Sequence, residues 1–398
     1  MNRVYLAVCL SALVLGGCGG GGGSDTSPPK SSVRSSSSSL APSSAAVSSV
    51  ASSTSSGAAS SVVSSVSSSA SSAQSSSLPA FVLGADISWV TELEAAGQKF
   101  YNSAGTETEA FQLMSDLGMT AVRFRVWVNP ANGYNNLADV VAKAKRAKAK
   151  GQRILIDFHY SDTWADPGHQ TKPVAWASLS LADLKTAVAT HTNEVLTALK
   201  NEGVEPVWVQ VGNETNDGML WDDARPSSAP ESTTMKNYAD LTNAGYNAVK
   251  AVFPNAKVIV HLANCHDNGN FRWIFDGLRS FGGKFDVIGA SSYPTHESSW
   301  SAATASCLSN LNDMVDRYDV PVMLTEVGVP WDHAEAKTIM ADLISKTAAV
   351  KDGQGLGVFY WEPLAPPGWN SGYTLGATNN QGRPTAAMEA FTEAAAAQ

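Results

Sequence analysis

Two acidic side chains stand where apolar strands should end. In "VWVQVGNE" (207–214), Val207, Val209 and Val211 alternate with Trp208 and Gln210, and the run closes on Asn213 and Glu214. In "VMLTEVG" (322–328) a second apolar run closes on Glu326. A carboxylate carried on a buried strand is costly unless it is paired or used. Two carboxylates facing one another are the minimum equipment for cutting a glycosidic bond: one stays protonated to assist the leaving oxygen, and the other stays ionised to attack the anomeric carbon. A separation of roughly 5–5.5 Å gives a covalent intermediate and retention, whereas a wider gap admits water and gives inversion.

The neighbouring residue types suit that division. Arg123 and Arg125 share one face of "AVRFRVW" (121–127), so at least one guanidinium should reach the mouth. Beside Glu326 it would lower the carboxyl pKa and hold it anionic. Tyr293 can donate to the same carboxylate. Asn213 can donate to a sugar hydroxyl beside the reacting carbon, and His159 can order the acid–base region. Asp86, Trp89, Trp127, Asp157 and Trp361 also fall at strand ends. The tryptophans either stack on sugar rings or fill the core, and the arginines either line a cleft or form ion pairs within the wall. The stretch "HYSDTWADPGHQ" (159–170), which contains Trp164, mixes His and Asp without metal-ligand spacing and reads as a polar loop shaping the cleft. His296 and Glu297 read the same way. No metal site is expected.

Eight elements must position these groups. Strand-like runs recur at 83–89, 121–127, 153–160, 207–214, 257–262, 285–293, 321–328 and 357–363, with helical patterns between them. Ser180 with Asp183 three residues on is a capping-box pattern. Gly118, Gly151, Gly203 and Gly282 each precede a strand, at the position where a helix ends with positive φ. Eight alternating units over this length predict an α/β fold, a (β/α)8 barrel, whose chemistry sits at the C-terminal strand ends. An open doubly wound sheet is the competing architecture, but no strand is followed by a glycine-rich dinucleotide turn or a P-loop. In the barrel, strands four and seven lie across the mouth from one another, so Glu214 and Glu326 can converge.

Composition bounds the rest. Residues 1–17 carry Arg3 and a short apolar run, read as a signal peptide that leads to "LGGC" and to Cys18 as a lipidation site. An ordinary secretory signal is the alternative, and either reading takes the chain out of the cytoplasm. Residues 18–79 are a serine-rich linker, expected to be disordered, and 80–398 form one catalytic domain. Cys265 and Cys307 remain as a pair in an oxidising compartment, and a disulfide is expected. The net charge of −9 argues against nucleic acid. The expected contact with a membrane is through the lipid anchor alone, and the expected state is a monomer.

"DISWV" (86–90), "RFRVWVNP" (123–130), "DFHYSDTWADPG" (157–168), "VQVGNE" (209–214), "TEVG" (325–328) and "YWEP" (360–363) together resemble the family 53 glycoside hydrolases, the arabinogalactan endo-β-1,4-galactanases. The resemblance implies that Glu214 is the acid/base and Glu326 the nucleophile. It also implies that the second-strand arginine, Tyr293 and Trp361 line the subsite where the bond breaks, and that the substrate is the β-1,4-galactan of pectin. It brings no cofactor. Some members hold a structural calcium in a late loop, but "PPGWNSGYTLGATNNQGR" (366–383) has no acidic cluster to supply one. Two alternatives remain: a retaining endo-glycosidase of the same clan acting on glucan, mannan or xylan, and a barrel that binds galactan without cutting it.

Overall fold

The computed structural model describes residues 81–229 and 231–398. The signal-peptide, lipidation and linker assignments, Cys18 included, lie outside the described residues. Eight parallel strands close on themselves in sequence order. They are β1 Val82–Asp86, β2 Ala121–Val126, β3 Arg153–Phe158, β4 Trp208–Val211, β5 Lys257–Leu262, β6 Val287–Ser292, β7 Val322–Val327 and β8 Gly355–Trp361. β8 returns to β1 with Val82 opposite Gly357 and Asp86 opposite Trp361. Each falls on an expected run, and β4, at four residues, is shorter than its run.

The helices between strands follow local signals. Asn136 caps Leu137–Ala149 by accepting the Asp139 N–H, and Ser180 caps Leu181–Asn201 by accepting that of Asp183; each such cap is worth about 1 kcal/mol. Gly151 ends the first of these at φ 69° and Gly203 the second at φ 65°, a region that a Cβ disfavours.

Strand parity divides the core in two. Val82, Ala121, Leu155, Trp208, Ile259, Val287, Met323, Leu356 and Phe359 point inward and plug the lower barrel. Residues such as Val122, Phe124, Val126, Ile156, Phe158, Val209, Val211, Val258 and Val260 point outward, into the larger core that the helices cover. Gly84 is required at its place: a Cβ there would sit 2.5 Å from the Phe359 ring. Above the plug, the inward positions of the same strands are Asp86, Arg123, Arg125, Asp157, Gln210, His261 and Ser291, all buried. The polar layer is therefore the next turn of the alternation that builds the apolar one.

Candidate active site

Glu214 is placed by a chain that leaves its strand sharply. After Val211, Gly212 takes φ 83° and Glu214 takes φ 45°. The turn is pinned on both sides, by the Gly212 N–H to the Phe158 carbonyl at 3.0 Å and the Thr215 N–H to the His261 carbonyl at 2.9 Å. A non-glycine residue in this conformation costs about 1–3 kcal/mol and persists only where its surroundings hold it. Here the strain curls Glu214 back over the barrel mouth, 9% exposed, with its Oε1 taking the Ser291 hydroxyl at 2.6 Å.

Glu326 arrives by a different device. Met323 points inward, so strict alternation would put Thr325 inside and Glu326 outside. The β6–β7 register shifts, however: Ala290 pairs with Leu324, and Ser291 pairs with Glu326. One extra residue in β7 re-aims the side chain, as bulges do. Glu326 Oε1 then lies 2.9 Å from Arg123 Nη2, and its Oε2 accepts the Tyr293 hydroxyl at 3.1 Å. The two glutamates thus share Ser291, which is opposite Glu326 in the ladder and bonded to Glu214.

Arg123 is the hub of the mouth. Its Nη1 meets Asp86 at 2.7 Å, and its Nη2 meets Asp157 at 2.8 Å, Glu326 at 2.9 Å and Asn213 Oδ1 at 2.9 Å. A guanidinium beside Glu326 is expected to lower its pKa and hold it anionic; Arg123 does pull the carboxyl down, but the net shift is upward. Burial outweighs the guanidinium, Asp157 and Asp86 add negative charge, and the Glu326 carboxyl is pushed up to about 7. Glu214 is raised well above its usual value, by burial first and by the Glu326 charge second. The two surroundings differ: Glu326 touches a cation and a phenol, and Glu214, among the described residues, a serine hydroxyl.

Arg125 does not join this hub. It pairs with Glu362 at 2.6 Å, and its guanidinium sits over Trp164, Trp89 and Trp127 at 4.6, 5.0 and 5.2 Å. Glu362 also accepts the Trp89 N–H at 3.0 Å, and burial pushes its carboxyl up to about 8 against the pull of Arg125. Trp361 packs on Trp89 at 5.3 Å and on Trp164 at 5.9 Å. Trp89 and Trp127 are almost entirely buried, so packing is their main role, while Trp164 and Trp361 are only half-buried. A recess of about 300 Å³ opens beside this wall, lined by Trp89, Trp127, Trp164, Asp162 and Asn370. A larger one of about 540 Å³, lined by Glu94, Lys99 and Glu107, holds none of the strand-end carboxylates.

The other expected residues fall as follows. His159 does not touch Glu214; it bonds Asp157 at 3.0 Å and accepts from Trp127 at 3.3 Å, tying the hub to the tryptophan wall. The Asn213 amide donates to the Ala165 carbonyl at 2.8 Å, which brings the 159–170 loop to the mouth. His296 is exposed and stacks on Tyr293. Cys265 and Cys307 are joined across 42 residues. Residues 366–383 contain no Asp or Glu. Gln210, His261 and Ser291 escaped the sequence reading. Their signal was parity, since each lies an even number of residues after an inward apolar position of its own strand.

The sequence model of the family described as Glycosyl hydrolase family 53 matches residues 82–338. An arabinogalactan endo-beta-1,4-galactanase of Thermothelomyces thermophilus is 33% identical, the match covering 70% of this chain and 88% of that one. One of Cellvibrio japonicus is 34% identical, covering 71% and 80%. A solved structure of a fungal beta-1,4-galactanase superposes with a TM-score of 0.70 at 30% identity, covering 79% of this chain and 99% of that one.

Proposed function

This chain belongs to glycosyl hydrolase family 53, and on that premise we propose that it cuts β-1,4-galactosidic bonds within the galactan side chains of pectin, with retention of configuration. Glu326 attacks the anomeric carbon while Glu214 protonates the departing oxygen; Glu214 then takes a proton from the water that releases the sugar from Glu326. The observation that carries this reading is the asymmetry of the pair: among the described residues, Glu326 is held by Arg123 and Tyr293, and Glu214 by the Ser291 hydroxyl. Trp361 and Trp164, partly open beside the hub, supply sugar-stacking surface.

A panel of galactan, xylan, mannan and carboxymethyl-cellulose, read by new reducing ends, tests the substrate. Highest activity on any glycan other than galactan rejects it. Product anomers followed by NMR at early times test retention.

The same reading places the enzyme outside the cytoplasm, as a monomer tethered through lipidated Cys18 and the serine-rich linker to a bacterial outer membrane. The sequence of residues 1–79 supports the tether. Palmitate labelling that disappears in Cys18→Ser checks the anchor, and light scattering of the soluble form checks the monomer.

A further inference from the structure

His261 is fully buried on β5 and takes no part in the chemistry above. Its Nε2 lies 2.7 Å from Ser291 Oγ, and Ser291 Oγ lies 2.6 Å from Glu214 Oε1. Serine has one hydroxyl proton, so Ser291 can give it to the imidazole or to the carboxyl group, not to both. The far side of the ring decides which.

His261 Nδ1 faces the Gln210 side-chain nitrogen at 3.0 Å and the Glu214 backbone N–H at 3.5 Å. Both can only donate. It also faces Asn213 Oδ1 at 3.0 Å. That oxygen accepts from Arg123 at 2.9 Å and lies 2.9 Å from the Gln210 nitrogen, which has two hydrogens to share among Asp157, Asn213 and His261. Gln210 cannot be turned round: its oxygen accepts from Arg123 at 3.2 Å, and its nitrogen donates to Asp157 at 2.6 Å. With two donors facing Nδ1 and one acceptor, we assign Nδ1 as the bare nitrogen and Nε2 as the one that carries the hydrogen. The Nε2–H donates to Ser291, which leaves the Ser291 proton for Glu214. Glu214 Oε2 has no hydrogen-bond partner among the described residues.

We propose that His261 and Ser291 are positioning residues for the reaction, a one-way hydrogen-bond chain that keeps Glu214 Oε1 an acceptor and so assigns the acid proton to Oε2. This rests on the reading of Glu214 as the acid/base. In the first half-reaction the Oε2 proton passes to the glycosidic oxygen as the C1–O bond breaks and the Glu326–C1 bond forms. The new carboxylate finds the Ser291 hydroxyl already aimed at Oε1, so no donor has to turn. In the second half-reaction Oε2 takes a proton from water as the water oxygen bonds C1 and the Glu326–C1 bond breaks. His261 stays neutral throughout. Burial lowers its pKa well below the usual imidazole value, and the charge of Arg123 on β2 and His159 after β3 add to that. The ionisable groups facing Glu214 itself include Glu326 from β7, Tyr293 after β6, Asp166 from the loop after β3 and Arg123.

The direct test is nitrogen NMR of the full chain labelled with 15N-histidine, at neutral pH and without substrate. The expected result is a protonated Nε2 and a bare Nδ1 for His261; the opposite tautomer, or an imidazolium, overturns the proposal. The kinetic test uses Ser291→Ala, His261→Leu and the double variant. Removing the donor from the carboxylate should move the alkaline limb of kcat/KM upward by about one pH unit. The double variant should move it no further, because both changes cut one chain. An unmoved limb in Ser291→Ala, or additive shifts, overturns the proposal. If a variant does not fold, the tautomer in the unaltered protein still decides. If the unaltered protein does not cut galactan, the galactanase reading fails while the tautomer result stands apart from it.

Discussion

Arg123 and Glu326 meet at 2.9 Å at the centre of the barrel mouth, from strands that are not neighbours in the sheet. The same Nη2 reaches Asn213 at 2.9 Å, the residue beside Glu214. One buried guanidinium thus links the environments of both glutamates, and its removal should disturb both at once.

The two glutamates should separate kinetically. With an aryl galactobioside, whose leaving group needs little protonation, Glu326→Ala should lose far more activity than Glu214→Ala. On galactan itself, loss of the general acid should cost about 10²- to 10⁴-fold in turnover. Added azide should restore part of the lost rate, giving a β-galactosyl azide with Glu214→Ala and the opposite anomer with Glu326→Ala. Equal losses on the aryl substrate would contradict the division of roles.

Activity should fall on the acid side near neutrality. Glu326 must be ionised to attack, and its carboxyl is pushed up to about 7. The acid limb of kcat/KM should therefore lie near that pH, with the alkaline limb, set by protonated Glu214, above it. An acid limb near the ordinary glutamate value of 4.5 would show that Arg123 and Tyr293 prevail over burial.

Stability should decline as pH rises. Glu362 is pushed up to about 8 and Glu326 to about 7, both from an ordinary 4.5. A raised carboxyl favours the neutral form in the fold. Its contribution is complete below about 4.5 and is lost as pH climbs through 7 and 8. Thermal melts from pH 5 to 9 should show Tm falling, and Glu362→Gln should flatten the upper part of that fall. A Tm that rises over this range would refute the assignment.

Arg125 and the tryptophans around it should divide into structural and ligand-facing groups. Arg125→Ala removes the hydrogen-bond partner of Glu362 and the cation among the indoles and should destabilise the fold by about 1–3 kcal/mol by urea titration. Trp164→Ala should raise KM by up to about tenfold through lost stacking and cost less stability than Trp89→Ala, since Trp164 is only half-buried, though it packs on Trp89, Trp127 and Trp361. Trp89→Ala should act mainly on stability, since only 3% of that residue is exposed.

The disulfide should contribute through the unfolded state. Cys265–Cys307 closes a loop of 42 residues, and Cys307→Ser should cost about 2–4 kcal/mol. Asn310 also braces the Cys265 carbonyl at 2.8 Å, so kcat on galactan should change little at temperatures where the variant is folded.

The eight strands, the helix cap at Ser180 and the strand-end places of Glu214 and Tyr293 were legible because they depend on local pattern. An apolar run, a serine before a helix or a polar residue at a strand end needs no knowledge of distant neighbours. Trp89 and Trp127 were legible as strand-end aromatics, but their burial was not. How much of an indole stays open depends on which side chains arrive above it, here Trp164 from one loop and Tyr373 from another.

The sequence by itself determined the barrel and the arginine face of β2, because period-two and period-3.6 burial dictate them, and it marked Glu214 and Glu326 as carboxylates at strand ends. It could not determine that Glu326 faces inward. Alternation from Met323 places Glu326 outside, and only the register shift against β6, a matter of how two strands fit side by side, reverses it. Nor could it divide Arg123 from Arg125, which are identical in parity and chemistry. The tertiary structure set Arg123 among carboxylates and amides and Arg125 among indoles, because the partners of a buried cation come from strands and loops that meet only when the barrel closes.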